Sequence, residues 1–174
     1  MDLEVFDWFD ESAPKFRRIV GYGISGCDPN IMGIGPVPAI RAMMAKTGRS
    51  LADVDQLEIN EAFGAQALSC LKELDAVSQC FGVCRSSVPH HAYFEPNLGH
   101  KRKETISRSS GIQVPMEKFN TCGGAIAIGH PLAASGARIS GHVVHKLRQN
   151  GQKLGVGSAC IGGGQGIAIM FEKC

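Results

Sequence analysis

Three short stretches of this sequence carry residue types that could do chemistry. They are Asn60-Glu61, Gly129-His130-Pro131, and Cys160 ahead of Ile161-Gly162-Gly163-Gly164. Proline suits the first turn of a helix, where its missing N–H costs nothing. His130 is therefore expected at or just before a helix start, at the positive end of the macrodipole. That position suits a neutral imidazole able to donate or accept a hydrogen bond. The glycines around it allow other backbone, or a substrate, to come close. Taken alone, the stretch fits a tight turn with a surface histidine as well as it fits a functional ring.

Cys160 stands at the mouth of a glycine-rich turn between two strand-like runs. A thiol there can meet a ligand while nearby backbone N–H groups point inward, an arrangement suited to stabilising an oxyanion. A small buried cysteine in a strand fits the same position. Asn60-Glu61 ends a strand-like run and opens a helix, a common place for ligand-binding groups in α/β folds. Helix capping by the asparagine fits equally.

Two other patterns carry less. The cluster Gly162-Gly163-Gly164-Gln165-Gly166 is followed by an apolar, β-like run. A nucleotide-binding loop needs a helix there, so a Rossmann or P-loop reading is rejected. Cys80, Cys84, His90, His91 and His100 are zinc-type ligands, but their spacing fits no standard finger. No metal site is expected.

The elements that must position these residues are legible from periodicity. Lys15 to Gly26 reads as a strand, with Gly21 and Gly23 permitting a bulge or close approach. Val37 to Lys46 reads as a helix opening near Pro36 and ended by Gly48. Ser50-Leu51-Ala52-Asp53 has capping-box form and predicts a short helix. Gln56 to Asn60 reads as a strand, and a helix then runs to about Leu74 with Ala67, Leu68, Leu71 and Leu74 on one face. Residues 75–111 show no sustained period, which is unusual for so long a stretch inside a domain. Order returns at Val114. Ser135 to Asn150 reads as a helix with Ile139, Val143, Val144 and Leu147 on its buried side, and Gly151 stops it. Two strands around the 161–165 loop predict a terminal hairpin. Strands alternating with helices predict a layered α/β domain.

Bulk properties bound the function. A chain of 174 residues is one domain, or one with an appendage. A hydrophobic fraction of 44% suffices for a sizeable core. A net charge of +2 is too small to argue for nucleic acid or an anionic membrane. Seven irregularly spaced cysteines suit reduced thiols in an intracellular compartment. No apolar run reaches transmembrane length. The acidic start, residues 1–14, is expected to be an atypical lead that is neither a signal nor a transit peptide.

Together the motifs resemble one family. Met32-Gly33-Ile34-Gly35-Pro36, Asn60-Glu61-Ala62-Phe63, Gly129-His130-Pro131 and Cys160-Ile161-Gly162-Gly163-Gly164 stand in the order of the C-terminal half of the thiolase family. The wording is most similar to the mitochondrial type of its 3-ketoacyl-CoA branch, with the acetyl-CoA acetyltransferase branch a near relative. The resemblance covers about residues 15–74 and 112–173.

The resemblance implies a layered α/β fold in which this chain is the second βαβαβαββ half, with a mixed sheet. It implies acyl transfer: cleavage of a 3-ketoacyl-CoA by free CoA, or the reverse Claisen condensation, in fatty-acid metabolism. Cys160 would be the general acid/base at the carbon α to the thioester. His130 would help activate a nucleophilic cysteine and donate into an oxyanion hole completed by a water on Asn60. Backbone N–H near Gly162 would help form a second oxyanion site. Met32 would line the pantetheine or acyl slot, and Glu61 would shape the site. CoA and acyl-CoA would be substrates, with no further cofactor. Thiolase subunits, as in a homodimer or tetramer, would be partners, and the compartment would be mitochondrial.

The sequence departs from the family pattern twice. It holds no Cys-Gly-Ser-Gly motif for the nucleophile, and Cys122 stands where the family usually has a non-catalytic residue. The chain therefore reads as a short product, inactive alone, and a non-catalytic module binding CoA or a full-length subunit is the alternative. Most of 75–111 reads as an irregular insertion interrupting the domain that runs from 15 to 174.

Overall fold

The computed structural model describes residues 17–74 and 115–174. The expected lead at 1–14, the expected insertion at 75–111 and the five residues of the zinc reading lie outside the described residues. Among the described residues the elements are β1 (Arg17–Gly26), α1 (Pro36–Thr47), β2 (Gln56–Ile59), α2 (Gly64–Glu73), α3 (Ala125–Ile128), α4 (Leu132–Gln149), β3 (Leu154–Ile161) and β4 (Gln165–Lys173). No helix among them is long and apolar enough to cross a membrane.

The strands form one sheet in the order β1-β4-β3-β2. The β1–β4 and β3–β4 pairs are antiparallel, and β2–β3 is parallel. The sheet is thus mixed, as expected. The strand that the βαβαβαββ pattern places before the last helix is reduced to a single parallel bridge, Leu57 to Phe119. A 3₁₀ turn at Met116–Lys118 precedes Phe119, and Asn120 follows it with φ of 42°. Extended backbone therefore lasts too briefly to make a ladder.

Helices cover the sheet on both faces. On one face, Ile40 and Met43 of α1 and Leu71 of α2 pack against Leu57, Ile59, Val156 and Met170 of the sheet. On the other, Val143 and Leu147 of α4 pack against Phe171. β1 carries a register shift between Ile19 and Gly21, and a side chain at Gly23 would run into the Ala39 carbonyl of α1. Both glycines therefore do what the sequence suggested. On the opposite face, a Cβ at Gly155 would lie 2.5 Å from Val143 Cγ1. Helix α4 rests directly on the backbone of β3.

Several boundaries differ from the sequence reading. Leu68 is 61% exposed, and Gln66 and Cys70 are buried beside Ala67 and Leu71 instead. Helix α4 begins at Leu132, three residues before Ser135, because Pro131 is its extended N-cap. The one-turn helix α3 was not legible, since glycines flank it on both sides. The capping box at Ser50 forms a 3₁₀ turn rather than an α-helix.

β2 decides where the site lies. Its side chains alternate between the two faces of the sheet. Leu57 and Ile59 enter the apolar core under α1 and α2. Gln56, Glu58 and Asn60 share the opposite face, toward α4. All five are buried, with Glu58 at 5% and Asn60 at 3% exposure. Three polar side chains buried in a row must each find partners or serve a purpose.

Candidate active site

The site is built at the C-terminal ends of the parallel strands β2 and β3. Asn60 continues the ladder past β2, its N–H donating to the Ser158 carbonyl at 2.9 Å. Cys160 lies two residues further along β3, opposite Gly166 of β4. The same sheet edge therefore carries Asn60 and Cys160, and strand C-termini are where open α/β sheets place ligands.

Asn120 fixes the end of β2. Its Oδ1 accepts from Ile59 N–H at 3.0 Å, and its Nδ2 donates to the Ile59 carbonyl at 3.0 Å and to Glu61 Oε1 at 2.8 Å. Glu61 Oε2 accepts from Ile126 N–H at 3.2 Å. The two carboxylate oxygens of Glu61 thus tie the chain after Asn60 to Asn120 and to α3. A side chain at Gly124 would displace that carboxylate. These bonds hold the segment leading to His130 against the strand end.

His130 is exposed just before the Pro131 cap of α4. Its Nε2 is 3.2 Å from Asn60 Nδ2, and its Nδ1 is 2.7 Å from Ser135 Oγ. The Ser135 hydroxyl donates its only proton to the Pro131 carbonyl at 3.0 Å. With that proton so placed, Ser135 Oγ accepts from His130 Nδ1–H, and Nε2 accepts from the Asn60 amide. The hydrogen-bond pattern thus assigns the tautomer. Arg138 donates to the Gly129 carbonyl at 2.9 Å, which braces the loop from the helix side.

Cys160 is half-buried. Burial pushes its thiol up from the ordinary value, and Cys27 nearby adds to this. Both effects favour the neutral thiol over the thiolate. No hydrogen bond among the described residues joins it to Asn60 or His130. Gly162 lies exposed in the β3–β4 turn with open space around it. Met32 is half-buried in the 3₁₀ turn Pro29–Ile34, its carbonyl accepting from Gly35 N–H at 2.9 Å.

A cleft of about 80 Å³ opens on the other side of Asn60. Glu58, Cys122, Arg138 and His142 contribute its polar lining. Burial pushes the Glu58 carboxyl up to about 7, and Glu61 nearby also raises it. Burial lowers the His142 ring, as do Lys146 and His145. Ser135, Asn120, Glu58 and His142 were not singled out by sequence reasoning. Alternation along Gln56 to Asn60 puts Glu58 on the face of Asn60, but a polar row reads as a solvent face until α4 is seen to cover it.

A model of the thiolase C-terminal domain matches residues 13–173. The chain belongs to the thiolase family. Its thiolase domain is 48% identical over 156 residues to the mitochondrial 3-ketoacyl-CoA thiolase of Bos taurus, covering 90% of this chain and 30% of that protein. It is 38% identical over 160 residues to 3-ketoacyl-CoA thiolase of Aliivibrio fischeri, covering 92% and 32%. The crystal structure of human mitochondrial 3-ketoacyl-CoA thiolase superposes with a TM-score of 0.69 at 44% identity, covering 92% of this chain and 31% of that one. The Bacillus anthracis acetyl-CoA acetyltransferase gives the same TM-score at 38% identity, with the same shares covered. The chain spans about a third of the length of the relatives it matches.

Proposed function

We propose that this domain supplies the proton-transfer and oxyanion half of a thiolase site, acting on 3-ketoacyl-CoA with free CoA or in the reverse condensation. The observation that carries this reading is the acceptor Nε2 of His130, set beside buried Asn60 at the sheet edge that also bears Cys160.

One nitrogen then serves two roles in sequence. His130 Nε2 takes the proton of a nucleophilic thiol supplied by a complementary first half, and Ser135 steadies the resulting imidazolium through Nδ1–H. The thiolate attacks the 3-keto carbon. Nε2–H, now a donor, faces the oxyanion together with a water on Asn60. Collapse breaks the carbon–carbon bond, and the Cys160 thiol gives its proton to the departing enolate carbon. The Cys160 thiolate next takes the proton of free CoA, whose sulfur attacks the acyl-enzyme thioester. Backbone N–H near Gly162 stabilises that second oxyanion, and the first cysteine leaves as thiolate, reclaiming the proton on His130. Met32 lines the acyl or pantetheine slot in this reading. Glu61 shapes the site through Asn120 and α3, and no cofactor beyond the CoA substrates takes part.

The complementary half and further thiolase subunits are the proposed partners. Exposed apolar side chains beside His130 support this, with Leu132 at 82% and Ile126 at 67% exposure. Mitochondrial localisation is proposed from the mitochondrial relatives, although bacterial relatives are also similar.

The test is acetoacetyl-CoA cleavage. The chain alone is expected to give none. Assembled with a thiolase first half bearing the nucleophilic cysteine, it is expected to turn over and to lose that turnover with Cys160→Ala. Turnover by the isolated chain that Cys160→Ala abolishes would overturn the assignment of the nucleophile to another segment. Turnover of the assembly that survives Cys160→Ala would overturn the role of Cys160.

A further inference from the structure

Three buried polar atoms around one cleft lack a hydrogen-bond partner among the described residues: Asn60 Oδ1, Glu58 Oε1 and His142 Nε2. All three residues line the same 80 Å³ of space. Unpaired buried polar atoms are costly, and three around one cleft call for a common explanation. By the measure that assigns roughly 10–15 Å³ to one water, the cleft has room for several, and its lining offers the polar partners such waters need.

The geometry links this cleft to His130. Glu58 and Asn60 are two apart on an extended chain, so their side chains leave the same face roughly 7 Å apart. Two hydrogen-bonded waters, at about 2.8 Å per bond, can span that gap. Glu58 Oε1 also lies 3.3 Å from His142 Nε2 on α4. The Asn60 amide has a donor end and an acceptor end. The end that meets the ring, together with Ser135, sets which ring nitrogen carries the proton, and the end that meets the cleft must suit the groups there. A cleft that offers donors holds Oδ1 and leaves Nδ2 for His130.

We propose that Glu58 and His142 are positioning residues for His130: through water in the cleft they donate to Asn60 Oδ1, turn Nδ2 toward the ring, and hold the tautomer whose Nε2 can take a proton. The burial that keeps Glu58 protonated up to about 7 agrees with this donor role. The charged and titratable groups around the pair are Glu61 beyond β2, Arg138, His145 and Lys146 on α4, and Cys122 on the cleft wall. Lys146 acts against the carboxyl's protonation and Glu61 favours it. The catalytic meaning of the tautomer rests on the function proposed above. The tautomer itself does not.

The test reads ring nitrogens directly. The 174-residue chain is labelled with ¹⁵N-histidine, His130 signals are identified by their loss in His130→Asn, and long-range ¹H–¹⁵N spectra are recorded below pH 7. The wild type is expected to show Nδ1–H, and Glu58→Gln, which keeps a donor, is expected to preserve it. Glu58→Met with His142→Leu removes both donors and is expected to move His130 to Nε2–H or to an even mixture. Glu58→Met alone repeats the test if the double variant does not fold. Nε2–H in the wild type, or an unchanged tautomer in a folded donor-free variant, would overturn the proposal. An expected tautomer pattern in an assembled protein without thiolysis would instead refute the functional reading and leave the positioning role standing.

Discussion

The two faces of β2 are built to opposite rules. Leu57 and Ile59 enter a continuous apolar core with α1 and α2, where each gains by leaving water. Gln56, Glu58 and Asn60, equally buried, face α4 and make directional bonds or none. Thr121 Oγ donates to Gln56 Oε1 at 3.1 Å, and Gln56 Nε2 donates to Gln152 at 2.8 Å, while Glu58 and Asn60 keep unpaired atoms. One face holds the fold, and the other holds chemically poised groups at a cost in stability. Five consecutive residues serve both needs because the period of a strand is two.

Variants that interchange the two rules measure the difference. The largest effect is expected on the apolar face: Leu57→Ala should lower unfolding free energy by about 2–5 kcal/mol in denaturant titration. Next comes Glu58. Its folded carboxyl is raised from 4.5 to about 7, so between those values the folded state binds the extra proton. Stability from this group is therefore present at low pH and falls as pH rises through that window. Glu58→Gln, which mimics the neutral acid, should remove this loss and stabilise the protein above pH 7, by at most about 3 kcal/mol at 1.4 kcal/mol per unit. His142 acts in the other sense. Its lowered folded value withdraws stability as pH falls below 6.5, and this slope should remain in Glu58→Gln.

Smaller effects are expected where α4 meets β3 and on the open side of α2. Gly155→Ala forces a Cβ to within 2.5 Å of Val143 Cγ1 and should cost about 1–3 kcal/mol in thermal or chemical unfolding. Leu68→Ala should change stability by no more than about 0.5 kcal/mol, since the side chain is 61% exposed. A large loss there would mean that α2 is covered in the folded chain.

The fold was largely legible where one local signal sufficed. Pro36 and Gly48 bracket α1, with Gly48 in the left-handed region at φ of 66°. The glycine turn between β3 and β4 likewise announced the hairpin. Leu68 misled because a 3.6 period admits two neighbouring faces, and Cys70 rather than Leu68 fills the groove. His130, Asn60 and Cys160 were found through motifs with distinct chemistry. Ser135 was hidden in a helix start, and its role follows only from its bonds to His130 and the Pro131 carbonyl. Asn120, Glu58 and His142 depend on contacts between segments far apart in the chain, which no local pattern reports.

The division between the two faces is tested most directly in the assembled protein by setting His130→Asn against Leu57→Ala, measuring both acetoacetyl-CoA turnover and unfolding free energy. His130→Asn is expected to lower turnover by about 10²–10⁴-fold while leaving stability within about 0.5 kcal/mol. Leu57→Ala is expected to lose stability and to keep turnover below its unfolding midpoint. Undiminished turnover in His130→Asn would contradict the account.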